Sequence, residues 1–185
     1  MHEEIKKKVK NRMDKSIESL KEEFKKIRSG RANASLVEDL IVEYYGNRLP
    51  LKQLASISVP EPRLIVVQPW DKGSLGDIEK AFHKSELMLN PNNDGKVMRI
   101  AIPPLTEERR RELVKVAKGK AEESRVAIRN IRRDGNDEVK QAEKDGHVSE
   151  DDSKRSLDDI QKITDDYIDK VNAILEEKEA EIMEV

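Results

Sequence analysis

Four arginines fall within ten residues in RVAIRNIRRD, at Arg125, Arg129, Arg132 and Arg133. A guanidinium is a planar fork that grips two phosphate oxygens at once and also stacks on bases. Arginine outnumbers lysine seven to five over residues 105–146. At 3.6 residues per turn, Arg111, Lys115, Lys118, Arg125, Arg129, Arg132 and Lys140 share a sector about 100° wide on one helix. The chemistry this spacing offers is contact with a polyanion along a rod. Contacts of this kind position a protein on nucleic acid and do not read its sequence. The chain has one tryptophan, three tyrosines and two phenylalanines. So sparse a set makes a stacking platform for single strands a poor fit, and a folded RNA surface a better one.

A plainer account competes for these charges, namely a solvated face with acids one turn away. Glu107 and Glu108 serve Arg111, Glu112 serves Lys115, Glu122 serves Lys118 and Arg125, and Asp137 serves Arg133 and Lys140. Arg129 and Arg132 have no acid three or four residues away on either side. These two arginines carry the expectation of RNA contact.

No other pattern carries chemistry. His2, His83 and His147 stand apart from any nucleophile motif, and no HExxH, P-loop, GxSxG or GxGxxG occurs. The pairs Asp151-Asp152, Asp158-Asp159 and Asp165-Asp166 read as a capping turn and a solvated helix face. Asn90–Gly95 lacks the terminal glutamate of an EF-hand loop and reads as a turn. Trp70, after Pro69, reads as a small-domain core residue. The expectation is a protein with no catalytic residue, metal ligand or cofactor.

Charged residues make up 40% of the 185 and aromatics 3%. Such a chain suits long helices in a slender bundle better than a large round core. The net charge of −2 hides strong polarity. Residues 1–30 are net +4 (10 basic, 6 acidic), 31–104 are neutral, 105–146 are +2 (12 and 10) and 147–185 are −8 (5 and 13). No run approaches the ~18 apolar residues of a membrane span. The start, MHEEIKKKVKNRM, lacks the apolar core of a signal peptide. The absence of cysteine fits a reducing compartment, and the lack of a transit-like N-terminus favours bacterial cytoplasm as the location.

The elements that must hold the arginines are legible. Ile5, Val9, Met13, Ile17, Leu20, Phe24 and Ile27 form an apolar stripe, which predicts a helix over about 3–29 ended by Ser29-Gly30. The arginines lie on a predicted helix over 106–146, capped by Thr106 with Glu107 and Glu108. Its own apolar stripe runs through Leu113, Ala117, Ala121, Ser124, Ile128, Ile131, Val139 and Ala142. Gly135 falls on this stripe, which implies close helix packing. Ser149 with Glu150, Asp151 and Asp152 caps a last helix. Its heptad-like spacing runs Leu157, Ile160, Thr164, Tyr167, Val171, Ile174, Lys178.

All seven prolines lie in 31–104. There Leu40–Tyr45, Arg48–Leu51, Ser56–Val59, Arg63–Gln68 and Val97–Ile102 read as strands, with a hairpin turn at Gly46-Asn47. A short helix begins at Ser74, with Asp77 as its capping partner. The fold class is therefore α+β: an elongated antiparallel three-helix bundle (1–30 and 105–185) with a small β/α/β domain (31–104) inserted. Two adjacent connections join them, and the glycine in one and the diproline in the other make a natural hinge.

IRSGRANASL (27–36), VEYYG (42–46), LNPNNDG (89–95), IPPLTEERR (102–110), RVAIRNIRRD (125–134) and IQKITDDYI (160–168) resemble the ribosome recycling factor family. The resemblance spans the chain. It implies an L-shaped monomer, shaped like transfer RNA, that works with elongation factor G and GTP. Together they would split the post-termination ribosome into subunits and free it from messenger RNA. The implied partner is 23S-type ribosomal RNA of the large subunit. Carried over by motif, RNA contact falls to Arg129, Arg132 and Arg133, with Arg125, Arg110, Arg28, Arg31 and Lys118 beside them. The hinge maps to Ser29, Gly30, Arg31, Pro103, Pro104, Leu105 and Thr106. One departure is Gly135, where family members commonly have alanine. The alternative reading is a helical scaffold or adaptor for other proteins. For such a protein Arg129 and Arg132 would be dispensable and binding would depend little on salt.

Overall fold

The computed structural model describes residues 1–184. The chain forms two compact units, one of Met1–Ser29 with the residues from Thr106 onward, the other Gly30–Leu105. No helix among the described residues is long and apolar enough to cross a membrane.

The first unit is three helices: α1 (His2–Lys25), α3 (Glu107–Lys144) and α4 (Glu150–Met183), with α2 belonging to the other unit. The 38 residues of α3 make a rod of about 57 Å at 1.5 Å per residue. Thr106 caps it by accepting from the Arg109 N–H, and Ser149 caps α4 by accepting from the Asp152 N–H. Both caps stand where the sequence predicted them. Side-chain contacts fix the directions. Lys8 meets Glu138 and Lys120 meets Glu23, so α1 and α3 run antiparallel. Lys6 meets Asp159 and Ser29 meets Glu181, so α1 and α4 run parallel.

The stripe of α1 is buried in full, from Ile5 to Ile27. The helix itself stops at Lys25, short of the predicted Ser29-Gly30 end. Lys26 and Ile27 bond back three residues, to Glu23 and Phe24, which tightens the last turn. Gly30 does take the left-handed conformation, at φ +78°, but beyond the helix. Along α3 the inward residues are mostly small, and this lets backbones approach. At Gly135 the approach is closest: a Cβ there would sit 2.6 Å from Val9 Cγ2. The glycine therefore serves packing, as its angular position implied.

The second unit has a hairpin, β1 (Ile41–Tyr44) with β2 (Asn47–Pro50), and a four-stranded antiparallel sheet. The sheet is ordered β3 (Ala55–Glu61), β4 (Leu64–Pro69), β6 (Met98–Ala101), β5 (Pro91–Asn93). Helix α2 (Leu75–Lys84) buries Leu75, Ile78, Ala81 and Phe82, the predicted inward face. Pro60 sits at a bulge between Ser58 and Glu61, where β3 needs no ladder donor.

Several sequence expectations are corrected here. The hairpin turn is Tyr45-Gly46, both left-handed, because Tyr44 pairs with Asn47. Pro91–Asn93 is an edge strand, and the turn runs from Asp94 to Val97, where the Asp94 side chain accepts from the N–H groups of Lys96 and Val97. Ser74 does not cap α2. Its hydroxyl donates back to the Asp71 carbonyl, and Asp71 caps the preceding turn instead. Trp70 is 69% exposed. Strand alternation sends Ile65, Val67 and Pro69 inward and turns Trp70 out.

Two predictions follow from this packing. Alanine at Gly135 would gain about 1 kcal/mol of helix propensity. It would also overpack a site filled by Val9, at a cost of roughly 1–3 kcal/mol. Gly135→Ala should lower the thermal midpoint, and Val9→Ala in the same chain should cost less than the two changes summed. Independent additivity in a double-mutant cycle would refute the contact. Burial, then a hydrogen bond to Asp14, pushes the Tyr167 phenol up to about 12. An unfolded tyrosine ionises near pH 10. The folded state's preference for the neutral phenol is thus intact below pH 10 and is lost as pH rises toward 12. Tyr167→Phe should lose less stability than wild type between pH 9 and 12 in chemical denaturation. Equal losses would exclude this role.

Candidate nucleic-acid interface

The charged residues of α3 split into two groups according to which helix they face. Toward α1, cation meets carboxylate across the seam. Arg12 pairs with Asp134 at 2.9 Å and Lys8 with Glu138 at 2.7 Å. Lys120 lies between Glu23 (3.8 Å) and Glu123 (3.6 Å). Two acids in the middle of α3 are thereby drawn to the α1 side. On the α4 side the arginines meet neutral amides of α4, and two of them share one glutamate of α3.

Arg125 is the most enclosed, with 19% of its side chain exposed. Its Nε donates to Asn172 Oδ1 of α4 at 2.9 Å, and its Nη1 to Glu122 Oε2 at 2.9 Å. This arginine braces two helices before it can serve any ligand. Arg129 also reaches Glu122, at 3.2 Å. The expectation that Arg129 lacks an acidic partner is therefore wrong. Glu122 lies seven residues away, two full turns, and two long side chains span that rise. Arg125 and then Arg129 hold the Glu122 carboxyl below its ordinary range by donating to it.

Arg132 keeps its charge uncompensated. Its Nη1 donates to the neutral Gln161 amide of α4 at 3.4 Å. Arg133 is exposed and makes no ion pair among the described residues, because its supposed partner Asp137 does not reach it. Lys118 finds Glu179 of α4 at 3.9 Å and not Glu122. Lys115 is left without an acid because Glu112 goes to Arg109 at 2.8 Å. Arg111 does pair with Glu107, at 2.6 Å. The open cations at mid-helix are therefore Arg132 and Arg133, with Arg129 half-exposed beside them.

The remaining sequence candidates lie away from this cluster. Arg110 stands at the start of α3, partly buried, with Nε lacking a hydrogen-bond partner. Arg28 is exposed beyond the end of α1, and Arg31 belongs to the second unit. Of the hinge candidates, Ser29 donates to Glu181 Oε1 at 2.8 Å inside the first unit. Gly30 at φ +78° packs on Leu105: a Cβ there would lie 3.1 Å from Leu105 Cγ. Arg31, Pro103 and Pro104 belong with them to the second unit, and Thr106 caps α3 in the first. Asn172 and Gln161 went unseen in the sequence. The signal for them was a neutral amide facing the arginines from the next helix, which a search along one helix for acids does not reach.

Among the described residues no group of three His, Cys, Asp or Glu is placed to hold a metal ion. His2 Nδ1 lies 2.8 Å from Ser156 Oγ, but Ser156 is 3% exposed and offers no route to a substrate.

The family model for ribosome recycling factor matches residues 20–183. The chain is 58% identical to the ribosome-recycling factor of Carboxydothermus hydrogenoformans over the whole of both chains. It is 51% identical to that of Bacillus subtilis, again over the whole of both. It is similar to a solution structure of the ribosome recycling factor at 47% identity, with a TM-score of 0.74, covering 100% of this chain and 98% of that one. A second similar structure, at 48% identity and TM-score 0.63, covers both chains in full. It gives models for the T. thermophilus ribosome recycling factor and the E. coli elongation factor G bound to the E. coli post-termination complex. With the three helices, the inserted α/β unit and the arginines of α3 in place, the chain belongs to the ribosome recycling factor family.

Proposed function

We propose that this protein recycles ribosomes. With elongation factor G and GTP it splits the post-termination ribosome into subunits and releases the messenger RNA. The work is mechanical, done in the cytoplasm, and the chain itself turns over no substrate. The α3 face around Arg132 and Arg133 lies on ribosomal RNA of the large subunit, with Arg129 and Arg125 behind it and Lys118, Arg110, Arg28 and Arg31 at its margins. The segments 29–31 and 103–106 act as the hinge through which the GTPase moves one unit against the other. The observation that carries this reading is the uncompensated pair Arg132 and Arg133, in a family member similar to a ribosome recycling factor for which models with elongation factor G on the post-termination complex exist. The neutral Gln161 partner supports it as well, since a carboxylate there would compete with phosphate.

The direct test is sedimentation of post-termination ribosomes with this protein, elongation factor G and GTP. Subunits should appear, and ribosomes that stay whole would end the proposal. Arg132→Ala should weaken ribosome binding several-fold and lower the slope of log affinity against log salt by about 1, with helix content unchanged. An unaltered slope would remove Arg132 from the interface. Glu122→Gln should do the opposite. It frees Arg129 and removes a negative charge from the face, so ribosome affinity should rise in a filter-binding titration. A fall in affinity would mean that Glu122 positions the arginines and does not restrain them.

A further inference from the structure

A second basic surface lies on the other side of α4, in the groove it makes with α1. The groove encloses roughly 450 Å³. Lys6 forms part of its wall and is spent internally, on Glu3 at 2.6 Å and Asp159 at 3.1 Å. Lys7, Lys10 and Lys162 also line it. All three are exposed, and none makes an ion pair with a described residue. Asp166 is the one acid on its wall without a cation. Three open ammonium groups, Lys7 and Lys10 from the basic α1 and Lys162 from the otherwise acidic α4, thus face one open carboxylate.

The internal pairing sharpens the point. Glu3 and Asp159 converge on Lys6, the lysine deepest in the wall, and so leave the outer three unneutralised. A lysine ammonium is a compact point charge on a flexible stem, suited to following phosphates without fixed geometry. Around 100° per residue, Asp158, Asp165 and Asp169 fall on the outward side of α4. That acidic ridge separates this groove from the Arg132 face. A polyanion crossing from one to the other would meet repulsion, so the two basic strips take separate strands.

We infer that the α1/α4 groove is a second docking surface for RNA phosphate backbone, held by Lys7, Lys10 and Lys162, and that the bundle seats between two RNA segments. This rests on the ribosome-binding reading. A protein with one RNA face lies on its target. A protein with two basic strips on either side of an acidic ridge is clamped in a fixed rotation about its long axis, which is what a rod that must transmit force requires.

The combined variant Lys7→Gln, Lys10→Gln and Lys162→Gln tests this on whole ribosomes. Affinity should fall at least about tenfold, and the salt slope should drop by about 2–3, close to one per lost phosphate contact. The side chains are exposed, and unchanged far-UV circular dichroism will show that the bundle is intact. The chain has no cysteine, so Asn11→Cys, one turn along α1 from Lys7, and Arg133→Cys each accept a single iron chelate for hydroxyl-radical cleavage. The two should cut different segments of ribosomal RNA. Wild-type affinity and slope in the lysine variant would overturn the inference. So would cleavage from position 133 with none from position 11, which would leave the groove facing solvent or an acidic protein. If wild type itself does not bind ribosomes, it is the ribosome reading that has failed.

Discussion

Everything in the first unit depends on how closely α1 and α3 approach. With few large apolar side chains available, the bundle gains its density by bringing backbones together over small residues. Ala117, Ala121, Ser124, Gly135 and Ala142 occupy the inward line of α3. At Gly135 the Val9 side chain fills the space that a Cβ would take. Dispersion falls off steeply with distance, so a seam this tight recovers contact energy that thin cores otherwise forgo.

The same closeness sorts the charges. On the α1 side the gap is short enough for Arg12 and Lys8 to reach Asp134 and Glu138. These acids sit within two to six residues of Arg132, on the other flank of α3. Once they are engaged across the seam, the partners that α4 offers these arginines are the neutral amides Asn172 and Gln161, and Glu122 is the one carboxylate left to Arg125 and Arg129. Packing and function are therefore coupled through electrostatics. Neutralisation on one side of the rod leaves a local excess of positive charge on the other, although the chain as a whole is slightly acidic.

Much of this was legible in the residues. Helix stripes, the caps at Thr106 and Ser149, the small α/β insertion and the inward face of α2 follow from periodicity and capping chemistry, which are local. The misreadings have local causes too. Tyr45-Gly46 forms the turn because cross-strand pairing, and not the preference of Gly-Asn, fixes the register. Trp70 points outward because its strand parity is set by which neighbours form the core. Ser74 gave up its capping role once Asp71 had formed the preceding turn.

The arginine face shows where the boundary lies. The sequence by itself determined that α3 is a long basic helix with an apolar line beside a charged one, because both patterns repeat at the helical period within a single segment. It also carried the family resemblance. Only the tertiary structure decided which arginines are open. Arg129 shares Glu122 two turns away, Arg125 braces α4, and Arg132 and Arg133 keep uncompensated charge. A side chain's electrostatic partner is chosen by distance through space. For long side chains on packed helices, that distance is set by residues on the next helix as well as by those one turn along: Asn172 and Gln161 on α4 reach Arg125 and Arg132, which lie far from them in sequence.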